Sequence, residues 1–239
     1  GEPFNLRITD ATDGFGVMEG EYNVTVAGDM DVEIFNEDVV LIGGAATVEI
    51  ALRSWGTHEL DVRLEGFEDP VTFMVEVKPF AGGSGDDDDP YLIRNADQLN
   101  NVRDFMNAHF RLIDDINLAG YDWETIGNNS SVFNGTFDGD GHKISNLTIN
   151  RPGQPFVGLF GNAGNSAVIR NVGLENANVR GYSNTGGLVG FLRGDIMNSF
   201  VEGNVHGNES VGGLAGTNNG TISNSYAEVA VTASYKFAG

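Results

Sequence analysis

The sequence predicts an all-β chain of two unlike parts, the second a parallel β-helix, and three observations carry that prediction. Gly-Leu-x-Gly occurs at Gly158-Leu159-Phe160-Gly161, Gly187-Leu188-Val189-Gly190 and Gly213-Leu214-Ala215-Gly216, with first glycines 29 and then 26 positions apart. Ile-x-Asn keeps step with it at Ile144/Asn146, Ile169/Asn171, Ile196/Asn198 and Ile222/Asn224, and Val179, Val205 and Val231 hold a third register. No unit contains the run of about ten to twelve helically periodic residues that a helical repeat needs.

Residues 1–80 come first and read as a β-sandwich. Apolar and β-branched alternation marks Phe4 to Thr9, Glu21 to Val26, Asp31 to Phe35, Ala46 to Leu52, His58 to Leu64 and Val71 to Val77, with Gly, Asp and Asn between the runs. Six or seven short strands without a helix predict an immunoglobulin-like sandwich, one that lacks the Cys pair of antibody domains. Trp55-Gly56-Thr57-His58-Glu59-Leu60 resembles a strand start of bacterial immunoglobulin-like modules.

Residues 81–90, Ala81-Gly82-Gly83-Ser84-Gly85-Asp86-Asp87-Asp88-Asp89-Pro90, read as a linker, because Gly/Ser flexibility is followed by self-repelling charge. The β-helix then occupies 91–239. At its start, Asn95-Ala96-Asp97-Gln98 offers an N-cap with Gln at the third helical position, and Leu99, Val102 and Met106 follow at helical spacing beside Phe105. That pattern predicts one helix over 96–108, placed to cover the open end of the first coil.

Each later unit reads as one coil: a short strand, a turn at Asn, another strand, a polar connector and the Gly-Leu-x-Gly run. Like residues then stack on like at about 4.8 Å. The aliphatic stack fills a dry interior, the Asn stack satisfies turn groups along the axis, and glycine at the corners supplies positive φ. In this reading Gly158, Leu159, Gly161, Gly187, Leu188, Gly190, Gly213, Leu214 and Gly216, with Asn146, Asn171, Asn198 and Asn224, are structural.

These residues resemble the GLUG-motif repeats of large bacterial secreted and cell-surface proteins. The lead-in resembles that family too: Asp89-Pro90-Tyr91-Leu92-Ile93, Ala96-Asp97-Gln98-Leu99, the run Phe110 to Leu118, and Trp123-Glu124-Thr125-Ile126-Gly127. The string from Phe133 to Ile144 is similar to the first full coil of right-handed β-helices of the pectin-lyase-like type. The resemblance covers residues 86 to 235 and implies a right-handed solenoid in an extracellular or cell-surface scaffold or adhesin, more often than in an enzyme. It names no ligand.

Composition fits that context. The 239 residues include no Cys, so no disulfide or thiolate metal site forms. With 34 acidic and 13 basic residues and a net charge of -21, the chain disfavours nucleic acid and anionic membranes, which need Lys/Arg. No apolar run is long enough to span a bilayer. The tail Lys236-Phe237-Ala238-Gly239 offers no polar cap, which predicts a longer natural protein or a tail folded over the last coil.

Chemistry has few candidates. Asp86, Asp87, Asp88 and Asp89 offer oxygen ligands for calcium, against the blander reading of a solvated linker, because four consecutive carboxylates cannot all converge on one ion. Asp138-Gly139-Asp140-Gly141 starts like a calcium loop, yet the twelfth position is Ile149 where a Glu is required. His58-Glu59 opens like a zinc-protease motif, but its fifth residue is Val62. Asp138 and Asp140, with Asp114 and Asp115 on a neighbouring coil, form the candidate acidic set of a carbohydrate-active β-helix enzyme, a polysaccharide lyase or glycoside hydrolase. Lys143 and Arg111 supply its base or substrate clamp, and Asp114, Asp138 and Asp140 line its groove. Against it, Asp-Gly is turn chemistry and no acidic motif recurs. Near the second Gly-Leu-x-Gly, Tyr182, Arg180 and Arg193 are candidates for one exposed face. The expectation is a non-enzymatic extracellular module for adhesion, display or binding of a glycan or protein, without a cofactor.

Overall fold

A computed structural model of the chain describes the backbone of seven N-terminal strands, and both backbone and side chains of residues 78–235. Two compact units divide the chain, Gly1–Pro79 and Phe80–Gly239.

The first unit holds β1 (Phe4–Ile8), β2 (Gly20–Ala27), β3 (Val32–Ile34), β4 (Asp38–Leu41), β5 (Ala46–Leu52), β6 (Gly56–Leu64) and β7 (Val71–Val77). They pair antiparallel in two sheets, ordered β1-β5-β3 and β4-β2-β6-β7. β2 serves two partners by using Gly20–Asn23 against β4 and Val24–Ala27 against β6. The alternation did not reveal β4, because Val39 and Val40 are adjacent. The side chains of residues 1–77, on which the immunoglobulin-like sandwich, the Trp55 to Leu60 likeness and the His58-Glu59 pair rest, and the tail Lys236–Gly239 lie outside what is described.

The second unit opens with β8 (Tyr91–Ile93), α1 (Ala96–Asn101), a 3-10 turn at Val102–Asp104, β9 (His109–Leu112) and β10 (Ile116–Asn117). It continues through β11 (Thr136–Asp138), β12 (Lys143–Ser145), β13 (Thr148–Asn150), β14 (Phe160–Ala163) and β15 (Val168–Arg170). Two regular coils follow: β16 (Gly173–Arg180), β17 (Ser183–Gly186), β18 (Val189–Leu192) and β19 (Asp195–Met197), then β20 (Phe200–Gly207), β21 (Glu209–Gly212), β22 (Ala215–Asn218) and β23 (Thr221–Ser223). β24 (Tyr226–Ala233) closes the series.

Pairing in this unit is parallel throughout, each strand lying on its equivalent one coil away. The sheets run β8-β9-β11-β15-β19-β23, β10-β12-β16-β20-β24 and β14-β18-β22, with a small β17-β21 pair at a corner. Here they are called the first, second and third sheets. This is a parallel β-solenoid.

Its interior is a set of register-matched columns. Phe110, Phe137, Ile169, Ile196 and Ile222 stack in the first sheet, and Ile149, Val179, Val205 and Val231 in the second. The expected valine register is therefore real. The isoleucine ladder differs from expectation at its head: Ile144 stacks on Ile116 and Leu174 in the second sheet, and Phe137 takes its place. A sequence period fixes coil length without fixing phase, and the longer coil after Phe137 brings Ile144 near the period by coincidence. Large rings fill the wide early coils, with Phe133 4.9 Å and Phe137 5.3 Å from Phe160 between centroids.

The glycines also differ from expectation. None of the six Gly-Leu-x-Gly glycines has positive φ; the corners are turned by Asn146, Asn171, Asn198 and Asn224, at φ 59, 54, 49 and 48°. Asn tolerates that left-handed geometry by bonding locally. Glycine instead permits backbone to approach backbone: a Cβ on Gly190 would stand 2.6 Å from the Gly161 carbonyl oxygen and 2.7 Å from the Val157 nitrogen. Between the glycines, Leu159 and Leu188 are fully buried as the motif reading required, whereas Leu214 is only half-buried against the core.

The segment 81–90, expected as a linker, is bonded into the second unit. Ala81 N–H donates to Leu92 O (2.8 Å), Leu92 N–H to Gly82 O (2.9 Å), and Ser84 and Gly85 N–H to Asp89 O (3.0 Å each). Phe80 is buried and stacks on Tyr91 at 4.4 Å, an anchor that composition hides beneath the Gly/Ser/Asp run.

The capping helix is shorter than the expected 96–108. Asn95 Oδ1 accepts from Gln98 N–H and Gln98 Oε1 from Arg94 N–H, and the helix ends in the 3-10 turn at Asp104. Met106 lies beyond it, its carbonyl accepting from Asn134 and Gly135 N–H, which keeps that residue from continuing the helix. Leu99 and Val102 are fully buried in the core. Tyr121 latches the helix from the next loop by donating to Asp97 Oδ1 at 2.9 Å. Burial first, then the Asp97 carboxylate, push the Tyr121 phenol up from 10.0 to about 12. Between pH 10 and 12 the unfolded chain releases this proton and the folded chain keeps it. The latch contributes fully below pH 10 and is lost as pH rises towards 12. Tyr121→Phe is expected to flatten this alkaline limb of the stability curve, which urea melts at stepped pH measure.

Among the described residues no helix is long and apolar enough to cross a membrane.

Candidate functional site

The outer face of the second sheet presents columns of side chains, one per coil, because alternate residues of a strand point the same way. One column runs Lys143, Gly173, Phe200, Tyr226. Phe200 and Tyr226 stack with centroids 5.3 Å apart and planes 8° from parallel. On the far side of Phe200 the column holds Gly173, and the ring leans over it: a Cβ there would stand 2.3 Å from the ring tip. The ring takes the space a side chain at Gly173 would fill and forms one wall of a cleft of about 260 Å³ lined by Asp140, Gly141, Asn171, Val172, Gly173, Asn198 and Phe200. Its volume lies just below the roughly 300–1,000 Å³ of drug-sized ligand sites, which suits a single ring-sized unit of a longer ligand.

The polar wall of the cleft is a ladder of corner amides. Asn198 Nδ2 donates to Asn171 Oδ1 (3.1 Å), and Asn171 Nδ2 to Asp138 Oδ1 (2.9 Å). The structure therefore divides the expected asparagine ladder in two. Asn146 belongs to a second one, in which Asn176 Nδ2 donates to Asn146 Oδ1 (2.7 Å) and Asn146 Nδ2 to Asn117 Oδ1 (2.9 Å).

Asp138 heads the first ladder at 8% exposure. Its Oδ1 also accepts from Asp140 N–H at 2.9 Å and its Oδ2 from Arg170 Nε at 2.8 Å. Burial alone would raise its pKa, but the bonds from Asn171, Asp140 and Arg170 outweigh it and hold the carboxyl below 3.8. Arg111 and Arg170 are its register partners on either side, so the carboxylate sits in a column between two cations.

Other candidates are likewise placed in structural roles. Asp114 Oδ1 accepts from Asp115 N–H, and Asp115 Oδ1 from Lys143 N–H at 3.0 Å with His142 Nδ1 at 3.2 Å. The Lys143 N–H is the main cause of the lowered Asp115 pKa. Asp140 turns the chain at φ 49° and lines the cleft, its carboxylate without a hydrogen-bond partner among the described residues. Thus Asp138 and Asp140 meet through one backbone bond only, and Asp140 is the one acidic residue that lines the cleft.

Asp86, Asp87, Asp88 and Asp89 do not converge. Asp86 Oδ2 accepts from Ser84 Oγ, Asp87 lies 3.4 Å from His109 Nδ1, and Asp89 contributes its carbonyl to the loop. Tyr182, Arg180 and Arg193 do not share a face either: Arg180 ends β16 of the second sheet, whereas Arg193 follows β18 of the third, its guanidinium 4.5 Å over the Phe191 ring.

Sequence reasoning missed Gly173, Phe200 and Tyr226. The signal was present: each stands two residues after a corner asparagine, in Asn171-Val172-Gly173, Asn198-Ser199-Phe200 and Asn224-Ser225-Tyr226. Only the register shows that the three share a column and that the Phe200 ring lies over the first.

Residues 207–232 match the family model of the GLUG motif. The chain is 41% identical over 103 residues to a "Putative Gly-rich membrane protein" of Evansella cellulosilytica, covering 40% of this chain and 12% of that protein. It is 39% identical over 128 residues to "Halomucin" of Haloquadratum walsbyi, covering 48% of this chain and 1% of that protein. The chain thus spans a small part of both relatives. Among solved structures, a "putative immunoglobulin A1 protease" from Bacteroides ovatus aligns with a TM-score of 0.36 and 19% identity, over 67% of this chain and 82% of that one. That likeness is too distant to carry a shared activity.

Proposed function

We propose that this chain is a non-catalytic module of an extracellular or cell-surface protein, in which a GLUG-type solenoid presents a glycan-binding cleft. The observation that carries the reading is a cleft with the Phe200 ring, backed by Tyr226, as one wall, the Asn171 and Asn198 amides as another, and Asp140 at its edge. An aromatic face takes the C–H side of a sugar ring, while a carboxylate and amides take its hydroxyls. The surface setting is supported by the GLUG match and by relatives named as a membrane protein and as a halomucin. In this reading the preceding unit is an immunoglobulin-like spacer; its sheets of three and four strands agree with that count. The whole serves adhesion or display.

The alternative, a carbohydrate-active enzyme built on Asp114, Asp138 and Asp140, needs paired carboxylates across one groove. Asp140 alone lines the cleft, and Asp138 is spent on three structural bonds. Both readings meet in one experiment, the intact chain on a glycan array with product release measured in parallel. Binding without turnover is expected, with Phe200→Ala losing at least tenfold in affinity, about 1.4 kcal/mol. Tyr182→Ala, which removes an exposed ring outside the cleft, should leave binding unchanged. Steady release of shorter sugars, lost in Asp138→Ala without unfolding, would establish the enzyme instead.

A further inference from the structure

Beside the aromatic column runs a column of carboxylates. Glu202 and Glu228 are direct register partners, on the same outer face as Phe200 and Tyr226 and two residues along each strand. Glu175 stands two residues beyond Gly173, where a register shift in β16 sets it next to Glu202. On the opposite side of the cleft stands Asp140. Parallel strands are about 4.8 Å apart, so these charges press on one another, and like charges directly opposite are destabilising. Among the described residues no cation pairs with Glu202, Glu228 or Asp140.

The patch already holds one ammonium. Lys143 Nζ lies on the Glu175 carboxylate, and its pKa is raised first by Glu175 and further by Asp115 and Glu202. The same field acts on whatever enters the neighbouring cleft. It opposes uronate or sulfated sugars and favours a sugar that carries its own positive charge.

We infer that the cleft and its carboxylate column recognise a cationic, amino-sugar oligomer, one ring against Phe200 and its protonated amines against Asp140, Glu202 and Glu228. This rests on the glycan-binding reading and narrows it to one chemical class. A chain lying along the solenoid axis meets carboxylates at the coil spacing, so the amines on its facing side find partners there.

The test titrates the full chain with three oligomers: β-1,4-glucosamine, its N-acetylated form and galacturonate, at a pH where the amines are protonated. Each is measured at about 0.01 M and about 1 M ionic strength, where the Debye length is roughly 30 and 3 Å. The glucosamine oligomer is expected to bind at least tenfold tighter than the N-acetylated one in low salt, with the two converging in high salt and galacturonate weakest. In Glu202→Gln/Glu228→Gln, two outward-facing changes, the ratio of the first two affinities should fall to near one. If the N-acetylated oligomer or galacturonate binds as tightly as glucosamine, or if the double variant keeps the ratio, the charge assignment is wrong while the cleft remains a glycan site. If none of the three binds, and Phe200→Ala changes nothing on the wider array, the glycan reading falls with it.

Discussion

Gly190→Ala is expected to destabilise the solenoid by about 3 kcal/mol. Its Cβ would meet the Gly161 carbonyl oxygen at 2.6 Å, the Phe156 carbonyl carbon at 2.7 Å and the Val157 nitrogen at 2.7 Å. All three are backbone, so no rotamer change relieves the clash. The neighbouring coil must move, and a displaced coil strains the parallel bonds on both sides. Gly141→Ala is the informative comparison. Gly141 has φ +84° and nothing within 4 Å of its would-be Cβ, so substitution there costs about 1 kcal/mol from backbone strain alone. Urea melts of the two variants rank them. If Gly141→Ala proves the more damaging, the repeat glycines do not act through close approach.

Asp138→Ala is expected to cost about 2–3 kcal/mol, because it leaves the Asp140 N–H and the Asn171 amide without their acceptor and Arg170 without its carboxylate. Asp138→Asn should cost less, since its remaining carbonyl oxygen still accepts from two donors. The Arg170 contribution is discounted for screening, as that side chain is 42% exposed. The pH dependence follows from the depressed pKa. Ionised Asp138 stabilises the fold fully above its unfolded value, near 3.8, and that contribution is lost as pH falls through the lower folded value. In Asp138→Asn this part of the acid limb should vanish. Acid titration by circular dichroism, wild type against Asp138→Asn, reads the difference; identical limbs would remove Asp138 from the list of stabilising residues.

Much of the β-helix was legible because its physics is one-dimensional. A residue that must stack on its like in the next coil recurs at the coil length, and Val179, Val205 and Val231 did so in both sequence and register. The buried Leu159 and Leu188 were legible for the same reason. What the period hides is phase. Asn146 kept the spacing of Asn171 and Asn198 yet bonds in another ladder, and Ile144 stacks in another sheet. A coil can lengthen at its corners, where Arg151 to Phe156 loop outward, without disturbing the columns on either side of it. Phe156 itself adopts φ 59° at a corner where the later coils place Asn184 and Ser210, a position no pattern of apolar residues announces.

Local chemistry is visible along one strand of sequence: the N-cap of Asn95, the turn character of Asp138-Gly139-Asp140-Gly141, the absence of thiols and the acidic balance all follow from residue types and near neighbours. The roles of the repeat glycines, the bonded state of the 81–90 segment and the cleft follow from neighbours that lie one coil apart. Gly173 matters because it lets the Phe200 ring lie over its backbone, and Glu202 for a second carboxylate, Glu228, set beside it by the register. Such pairs are about one repeat apart in the chain and one strand spacing apart in space. Folding brings them together, and their distance, not their identity, decides whether they clash, bond or leave room for a ligand.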